Sequence, residues 1–457
     1  MKFVNRIQEL SFLERKYKES GAQLIILYGR RRTGKTETVL QFSKPKPSIY
    51  FLSTRSNEKD NIDNFFDALY EYFQDETLLR FEKNWENIFR YLSGIKERLV
   101  LVIDEFPYLL ESNRAMTSIF QRGWDLYLNK TDIMLVLLGS SVSLMESEVL
   151  SAKSPLYGRR TGQWRITPLE FTHNREFYPN YTQQEQLYTY SCLGGVPAYL
   201  LQFDPSKDFW DNVNDKILSK GEFLFEETDF LLKEELREPK VYSSILKAIS
   251  LGKTKFSEIM TQTGISKSSL SAYLETLERL DLVVREIPVT ETVRSKKGRY
   301  FIKDNFFKFW YRYAFPNLRH LESGNSKYVL SKIKSDFNRY MGHSFEGIAI
   351  EYLTGNLQYL PFEFTDIGRW WYKEQEIDIV TLNEDTKMIL FCECKWSELK
   401  RKDADRILTD LKEKSIAVKW HKHERSEYFG LVAKKIENKA ELREQGYIAF
   451  DLQDMFR

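Results

Sequence analysis

The sequence predicts an α/β fold that is divided among several domains. With 457 residues, the chain is longer than a single hydrophobic core usually supports, so two to four domains are expected. Three apolar runs of strand length, residues 23–28, 99–103 and 133–139, occur in the first third of the chain. Runs that are apolar throughout predict strands of a parallel sheet whose two faces are both covered.

A loop rich in arginine and glycine follows the first apolar run. Residues 29–36 read G-R-R-R-T-G-K-T, and a polar helix is predicted from Lys35 onward. In such a P-loop, backbone N–H groups converge on phosphates, the lysine reaches the β- and γ-phosphates, and the next hydroxyl binds Mg²⁺. The sequence therefore predicts ATP and Mg²⁺ as cofactors, with Lys35 also catalytic and Thr36 also a metal ligand. The residues expected at the nucleotide are Gly29, Arg30, Arg31, Arg32, Thr33, Gly34, Lys35, Thr36 and Glu37.

Two carboxylates follow the second apolar run. Asp104 and Glu105 stand at the carboxyl end of a strand that we expect to lie in the middle of the sheet. Phosphoryl transfer requires a carboxylate near the metal and a group that orients water. We assign Asp104 to Mg²⁺ and Glu105 to activation of the attacking water. An acidic pair at a strand end can also simply cap the next helix.

Polar residues also follow the third run. Ser140 and Ser141 could sense the γ-phosphate or could cap the next helix. Arg159 and Arg160 precede a fourth predicted strand, residues 164–169. An arginine at this position could complete the nucleotide site of the same chain or of a neighbouring copy, or could be surface charge.

These segments resemble the archaeal ATPase family, which belongs with the AAA+ and STAND ATPases. The resemblance covers about the first 235 residues. It rests on residues 3–10, the three arginines of the P-loop, residues 103–106 and 154–160, and the segment G-G-V-P-A-Y-L at 194–200.

The family resemblance implies roles that the spacing alone does not give. It implies that Arg6 lies near the adenine and that Pro197 contacts the base from a helical lid. By the same resemblance, Ser140 or Ser141 is the first sensor. Arg159 or Arg160 takes the arginine-finger position.

Residues 236–320 predict a winged helix-turn-helix. Three helical patterns have Gly264 in the turn before the third, and two strand-like runs joined by a basic loop, residues 294–299, come next. On DNA, Lys267, Ser268 and Ser269 would lie near base edges in the major groove, and the loop would touch phosphates. Such a domain can also simply pack on the ATPase, and the acidic end of the third helix repels DNA.

Residues 306–313 read F-F-K-F-W-Y-R-Y, in which two basic residues are interspersed among six aromatic ones. Aromatic side chains with basic neighbours can stack on nucleic-acid bases. At helical spacing, however, the pattern favours a packing seam over a base-stacking platform.

A carboxylate and lysine pattern marks the last third of the chain. Glu393 and Lys395 stand two apart in one predicted strand, so their side chains share a face, and Asp378 lies in a neighbouring strand. Two carboxylates that hold Mg²⁺ beside a lysine form a phosphodiesterase site. The pattern resembles the PD-(D/E)XK nuclease fold, which implies that Asp378 and Glu393 bind metal and that all three residues are catalytic.

The same resemblance points to a further carboxylate. Glu346 lies in a helix that we expect to open at Gly342, at a position where that fold often has an additional acidic residue. This C-terminal segment accompanies the archaeal ATPase domain in a known family architecture. A restriction-like domain can bind DNA without cutting it, so cleavage itself stays open.

Bulk properties restrict the partners. The 68 basic residues nearly balance the 66 acidic ones, for a net charge of +2, so any nucleic-acid surface must be local. Three cysteines fit neither a disulfide framework nor the usual zinc spacing. The N-terminus carries no apolar signal, and no run reaches the roughly 18 apolar residues that span a bilayer. We expect a cytoplasmic protein with no membrane partner.

The predicted architecture has four parts: a P-loop AAA-like ATPase core (1–170), a helical lid (171–235), a winged helix (236–320) and an α/β restriction-endonuclease-like domain (321–457). The predicted function is a DNA-associated ATPase that binds and hydrolyses ATP. Its nucleotide state would control the winged helix and the nuclease-like domain, and it could act as a homo-oligomer. The alternative is a STAND-type nucleotide switch that recruits a protein partner without cutting DNA.

Overall fold

The computed structural model describes residues 3–456, which form two compact units. The first unit ends at Leu169 but also includes the short segment Val196–Ala198, and the second unit contains the rest of the described chain. Across residues 3–456, no helix is both long enough and apolar enough to cross a membrane.

The first unit is a five-stranded sheet with helices between its strands. Its strands are β1 (Gln23–Tyr28), β2 (Ser48–Leu52), β3 (Val100–Asp104), β4 (Met134–Gly139) and β5 (Gly162–Arg165). Its helices are α1 (Ile7–Lys18), α2 (Lys35–Ser43), α3 (Glu58–Phe73), α4 (Trp85–Ser93), α5 (Phe106–Ser112), α6 (Met116–Leu126) and α7 (Val142–Leu144).

The strand order of this sheet, β2-β3-β4-β1-β5, places β4 between β1 and β3. All neighbouring strands are parallel, so their carboxyl ends share one edge of the sheet. Tyr28 at the end of β1 is level with Gly139 at the end of β4. The segments that follow β1, β3 and β4 therefore meet at this edge. The α/β fold with a parallel sheet that the sequence predicts is confirmed.

Both faces of the sheet are buried. In β3, Leu101 points into a core that contains Phe65, whereas Val102 points to the opposite core, which contains Phe42. Neighbouring residues of one strand thus enter different cores, and this explains why the strands are apolar throughout rather than alternating. Each fully buried large aliphatic side chain contributes about 1.5–3 kcal/mol to folding.

The fourth predicted strand is shorter and lies earlier than expected. The sequence predicts residues 164–169, but β5 covers only Gly162–Arg165. Its pairing ends where β1 ends, because Arg165 is level with Tyr28. One further hydrogen bond, from the Ile166 N–H to the Tyr28 carbonyl at 2.7 Å, fixes the chain beyond the strand.

The second unit begins with helices and ends with a mixed sheet. Its helices are α8 (Asn174–Phe177), α9 (Gln183–Leu193), α10 (Pro197–Leu200, which starts in the segment assigned to the first unit), α11 (Phe209–Asn212), α12 (Phe223–Glu235), α13 (Pro239–Ser250), α14 (Phe256–Thr263), α15 (Lys267–Arg279), α16 (Asn305–Phe309), α17 (Leu318–Glu322), α18 (Ser326–Gly355), α19 (Arg401–Ser415), α20 (Lys439–Glu444) and α21 (Leu452–Met455). Its strands are β6 (Val283–Glu286), β7 (Arg299–Ile302), β8 (Asp366–Tyr372), β9 (Gln375–Asn383), β10 (Met388–Leu399), β11 (Ser426–Ile436) and β12 (Ile448–Phe450).

A winged helix-turn-helix occupies the first half of this unit. Helices α13, α14 and α15 are followed by the antiparallel hairpin β6–β7, as the sequence predicts. Gly264 ends α14 in the left-handed conformation, with φ of 70°, which favours glycine. Ser266 caps α15 by accepting a hydrogen bond from the backbone N–H of Ser269. The first residues of α15, Lys267 and Ser268, are exposed.

Helix α18 differs from the prediction, because it begins at Ser326 rather than at Gly342 and runs for 30 residues. Upstream of Gly342, the buried side chains of Val329, Ile333 and Phe337 recur every four residues and give the helix an apolar stripe. A glycine in a helix interior costs only about 0.5–1 kcal/mol. The packing of that stripe outweighs this cost, so the helix passes through the glycine.

The C-terminal sheet has the order β12-β11-β10-β9-β8. Strands β8, β9 and β10 form an antiparallel meander, whereas β11 is parallel to β10 and is connected to it through α19. Trp370, Ile377 and Phe391 lie in the core beneath this sheet. Asp378 belongs to β9, and Glu393 belongs to β10.

The aromatic segment 306–313 is a packing element. Phe306, Phe307 and Phe309 are completely buried. Tyr313 lies edge-on to Tyr340 of α18, with 5.5 Å between ring centroids. The interpretation of the segment as a packing seam is thus confirmed, because its rings are covered by protein.

Glu351 of α18 is a buried carboxyl group with two hydrogen-bond partners. One oxygen accepts from the Phe171 N–H at 2.6 Å and the other pairs with the Tyr190 hydroxyl at 2.8 Å. Burial raises the pKa of Glu351 to about 7, although both hydrogen bonds act in the opposite direction. The side chain therefore titrates near neutral pH in the folded protein.

We expect Glu351→Gln to change how stability depends on pH. The folded pKa of about 7 lies above the unfolded value of about 4.3, so the contribution of Glu351 is complete below pH 4.3 and is lost as pH rises through 7. Glutamine keeps both hydrogen bonds without this loss, so the variant should exceed the wild type by about 1 kcal/mol at pH 5 and by about 3–4 kcal/mol at pH 8.

Thermal unfolding at the two pH values measures this difference. Glu322→Gln, at an exposed position of α17, is the matched control. A difference between Glu351→Gln and the wild type that is the same at pH 5 and pH 8 would contradict the assignment.

Candidate nucleotide site and carboxylate-lysine site

The P-loop backbone requires glycine at its start. A Cβ atom at Gly29 would lie 2.3 Å from the Ile166 carbonyl oxygen, which is fixed backbone. Later in the loop, Arg32 and Gly34 adopt left-handed conformations with φ of 68° and 90°. The loop thus turns tightly between β1 and α2, with its backbone N–H groups at the N-terminus of α2.

Lys35 is buried and lies across this loop. Its Nζ donates to the carbonyl oxygens of Gly29 and Arg30, each at 2.9 Å. The ammonium group is therefore held at the concave side of the loop, where triphosphate oxygens are bound in P-loops. The position of Lys35 is compatible with its predicted role.

Asp104 collects hydrogen bonds from three directions. The Thr36 hydroxyl donates to Oδ2 at 2.6 Å, the Tyr50 hydroxyl donates to the same oxygen at 2.8 Å, and the Glu105 N–H donates to Oδ1 at 2.7 Å. Burial and the Asp104 charge raise the pKa of Tyr50 above its usual range. Sequence reasoning missed Tyr50, whose strand β2 carries no motif.

Glu105 lies beside Asp104 and is joined to the strand next to it. It adopts a left-handed conformation with φ of 52° directly after β3. Its Oε2 accepts a hydrogen bond from the Ser140 hydroxyl at 2.6 Å. Within residues 3–456, no side-chain capping bond from Ser141 to α7 is present. Strand β3, the second apolar run, therefore places both carboxylates at the P-loop edge of the sheet. Strand β4, the third run, places Ser140 at the same edge.

The donor set at this edge suits ATP and Mg²⁺. A threonine hydroxyl and a carboxylate, the oxygen ligands that Mg²⁺ prefers, already touch each other next to Lys35. Within the described residues, no group of three or more His, Cys, Asp or Glu side chains is arranged to hold a metal. Phosphate oxygens and water normally complete Mg²⁺ coordination at such sites.

Arg6 is nearly completely buried against the P-loop. Its guanidinium donates to the Thr33 carbonyl at 2.5 Å and to the Thr167 carbonyl at 2.8 Å, and it pairs with Glu9 at 3.0 Å. Burial lowers the pKa of Arg6. Pro197 approaches the other end of the loop, since a Cβ atom at Gly34 would lie 3.8 Å from its Cγ. Both residues are thus placed at the loop.

The other charged residues that the sequence assigns to the nucleotide site form contacts with neighbouring protein groups or lie exposed. Arg159 forms a two-pronged ion pair with Asp125 of α6, at 2.8 and 3.1 Å. Arg160 donates to the Leu150 carbonyl at 3.2 Å, and its guanidinium covers the Tyr157 ring. Within the P-loop segment, Arg30 is buried, Arg31 reaches the Tyr108 hydroxyl at 3.4 Å, and Arg32 is half-buried, whereas Glu37 is exposed.

The second predicted site is assembled in the C-terminal sheet. Lys395 Nζ lies 2.6 Å from Glu393 Oε2 and 3.2 Å from Asp378 Oδ2. The Cys394 N–H also donates to Asp378 Oδ2 at 2.8 Å. Burial opposes the charge on Lys395, but the two carboxylates outweigh it and raise the pKa of the lysine. Strand β10 and its partner β9 thus bring together the three residues that the sequence selects.

A second lysine at this site was not predicted. Lys414 of α19 lies 2.7 Å from the other oxygen of Glu393, so the carboxylate is held between two ammonium groups. Burial and the charge of Asp378 nevertheless raise the pKa of Glu393. In sequence Lys414 is one of three lysines in the polar helix α19, and only its contact with Glu393 of β10 distinguishes it.

Glu346 and a cavity complete this region. Glu346 forms an ion pair with Arg369 at 2.6 Å, and Arg369 also lies 3.4 Å from Glu286 of the winged helix. A cavity of about 600 Å³ is lined by Glu346 and Arg369 together with the carboxylates and lysines of the second site. The winged helix contributes Arg299 to the same lining. Arg369, like Lys414, has no motif signal in the sequence.

Comparison with known proteins covers almost the entire chain. An uncharacterized protein of Methanocaldococcus jannaschii is 41% identical over 455 residues, which is 99% of each chain. The chain belongs to the family of this Methanocaldococcus protein. An uncharacterized ATP-binding protein of the same organism is 61% identical over 44 residues, which is 10% of this chain and 75% of that protein.

Three family models match successive parts of the chain. Residues 3–203 match an ATPase domain found predominantly in Archaea, residues 243–284 match bacterial regulatory proteins of the arsR family, and residues 310–407 match archaeal and bacterial proteins of unknown function. A solved Walker-type ATPase of Pyrococcus abyssi is 20% identical, with a TM-score of 0.51, covering 68% of this chain and 96% of that chain. The last similarity shows the ATPase fold.

The chain thus combines an archaeal ATPase domain with a helix-turn-helix and a C-terminal domain of unknown function. The ATPase match contains the whole network from Arg6 to Pro197. The C-terminal match contains Asp378, Glu393 and Lys395, whereas Lys414 lies beyond its end.

Proposed function

We propose that the protein is an ATP-hydrolysing, DNA-associated ATPase whose nucleotide state controls its winged helix and a nuclease-like C-terminal domain. The observation that carries this proposal is the hydrogen-bonded network of Thr36, Asp104, Glu105 and Ser140 at the P-loop. In this network two hydroxyls and two carboxylates meet at one edge of the sheet, and P-loop enzymes transfer a phosphoryl group at such an edge.

Each residue of the network has a role in the proposed hydrolysis. Lys35 neutralises charge on the β- and γ-phosphates, and Thr36 and Asp104 hold Mg²⁺. Bound Mg²⁺ would supply further neutralisation of the phosphate charge. Glu105 accepts a proton from the attacking water, and Ser140 keeps the carboxylate oriented towards the phosphate side.

Arg159 and Arg160 have different roles in this proposal. Arg160 is held within its own chain, where it donates to the Leu150 carbonyl and its guanidinium covers the Tyr157 ring. We assign it to the nucleotide site of the same chain. Arg159 is anchored to Asp125, which presents it in a fixed position to a second copy of the chain in a homo-oligomer. Arg6 and Pro197 position the loop and the base.

The DNA contact proposed for the winged helix uses the start of α15. Lys267, Ser268 and Ser269 are exposed there, and a helix N-terminus of this kind can enter the major groove. The match of residues 243–284 to regulatory proteins of the arsR family supports this assignment.

We expect Lys35→Ala to abolish both ATP binding and hydrolysis, because it removes the cation that lies across the loop. Glu105→Gln should keep ATP binding but lower kcat by about 10²–10⁴-fold, because the amide cannot accept the proton. Steady-state phosphate release and ATP titration measure the two effects. The matched controls are Lys44→Ala and Glu111→Gln, at exposed positions of the same unit.

Normal hydrolysis by Lys35→Ala would overturn the proposed site. Tight nucleotide binding with hydrolysis too slow to detect in the wild type, unaffected by DNA, would instead support a nucleotide switch that recruits a protein.

A second activity, DNA cleavage, is favoured by the convergence of Asp378, Glu393 and Lys395 within 3.2 Å. We propose that Asp378 and Glu393 hold a divalent metal. The metal, when bound, would activate water and stabilise charge on the phosphate. Lys395 supplies a cation beside the attacked phosphate. Burial and the charge of Asp378 raise the pKa of Glu393, and the ammonium groups of Lys395 and Lys414 act against this by favouring its ionised form.

We expect Asp378→Ala to reduce plasmid nicking in the presence of Mg²⁺ or Mn²⁺ to background, since one of the two carboxylates is lost. Lys395→Ala should do the same. Nicking is followed by agarose gel electrophoresis, with Asp385→Ala in the exposed turn after β9 as the control. Cleavage that persists in Asp378→Ala would rule out this site and leave a DNA-binding role for the domain.

A further inference from the structure

The loop of the winged helix is fastened to the C-terminal sheet. The Val289 N–H donates to the Arg369 carbonyl of β8 at 3.0 Å, and the Trp371 indole donates to the Lys297 carbonyl at 3.3 Å. Arg299 at the start of β7 stacks on the Trp371 ring, with 4.7 Å from its guanidinium to the ring centroid, and pairs with Glu376 at 3.4 Å. The basic loop, residues 294–299, is therefore held in a fixed position beside β8 and β9, and we call it the wall.

Tyr372 stands at the tip of the β8–β9 hairpin, next to this wall. Its side chain is 39% exposed, whereas the neighbouring Trp371 is buried. The Lys297 ammonium lies 5.5 Å from the Tyr372 ring centroid, and the Lys373 ammonium lies 5.6 Å from it. Lys297 is also paired with Glu291, which holds it at this position. A partly exposed ring with two ammonium groups near it thus stands at the end of the hairpin.

The tip adjoins the cavity that holds Asp378 and Glu393. The residues that follow Tyr372 along the hairpin, Glu374 and Gln375, line this cavity together with Arg299 of the wall. A volume of about 600 Å³ is in the range of sites for small molecules, and it has room for part of one polynucleotide strand rather than for both strands of a duplex.

An aromatic ring with neighbouring cations is the combination that binds unpaired bases. Every base can stack on such a ring once it is unpaired, and the cations attract the phosphates on either side of it. In a duplex the base faces are already stacked on one another and are closed to the ring. A ring of this kind therefore favours single strands over duplex.

We propose that Tyr372, Lys297 and Lys373 form a stacking platform for an unpaired base, and that the adjoining cavity receives the neighbouring phosphate of the same strand. The C-terminal domain would thus bind single-stranded nucleic acid, such as a gap or a flap, while α15 contacts duplex. This inference rests on the proposed nucleic-acid association, and it adds the structure of the strand that the carboxylate site receives.

The test uses the full-length protein and three labelled probes of one sequence: a DNA single strand, the corresponding duplex and an RNA single strand. Dissociation constants are measured by fluorescence anisotropy at one stated salt concentration. Tyr372→Ala should weaken single-strand binding about ten-fold or more and leave duplex binding unchanged. Tyr372→Phe, which keeps the ring, should bind as the wild type does.

Two charge variants extend the test. Lys267→Ala, at the start of α15, should weaken duplex binding only. Glu374→Gln removes a negative charge from the hairpin turn, so it should tighten single-strand binding. Circular dichroism of each variant confirms that it is folded.

The possible results distinguish failure of the stacking platform from failure of the proposed function. Single-strand binding that is unchanged in Tyr372→Ala, or a loss equal for single strand and duplex, would overturn the platform and leave the DNA-associated ATPase intact. Binding of the RNA strand alone, sensitive to Tyr372→Ala, would support the platform and contradict DNA as the partner. Failure of all three probes to bind would overturn both.

Discussion

The buried carboxylate of Asp104 is the point on which the nucleotide site depends. It accepts hydrogen bonds from Thr36 of the P-loop helix, from Tyr50 of β2 and from the backbone of Glu105. A buried carboxylate is costly unless its oxygens are satisfied, so these contacts must form together. They can do so only because parallel strands bring their carboxyl ends to one edge of the sheet. The fold of the first unit thus determines the arrangement of the site.

A similar requirement governs the C-terminal domain. Asp378, which is partly buried, and Glu393, which is buried, are brought close together by β9 and β10, and their mutual repulsion needs compensation. Lys395 bridges the two carboxylates, and Lys414 pairs with the free oxygen of Glu393. Arg369 compensates Glu346 and also contacts Glu286, so the same balance of charge joins the winged helix to the sheet domain. The cavity beside these groups is consequently lined by both domains.

Much of the two candidate sites could be predicted from sequence, because the residues that mark each motif are close together in the chain. The P-loop, the acidic pair after β3 and the Glu-x-Lys of β10 each lie within a few residues, and their strand context is clear from uninterrupted apolar runs. Tyr50, Lys414 and Arg369 could not be predicted, since each obtains its partner through packing of elements distant in the chain. The start of α18 differs from the prediction because the apolar stripe before Gly342 packs and carries the helix through that glycine.

The central claim is that bound nucleotide controls the contact with DNA, and linkage makes it directly measurable. The measurement compares the affinity of the Glu105→Gln protein for one DNA probe when the protein is saturated with ATP and when it is saturated with ADP, each with Mg²⁺. The account predicts dissociation constants that differ by about five-fold or more, as expected for a coupling free energy of at least about 1 kcal/mol. Equal affinities in the two nucleotide states would contradict it.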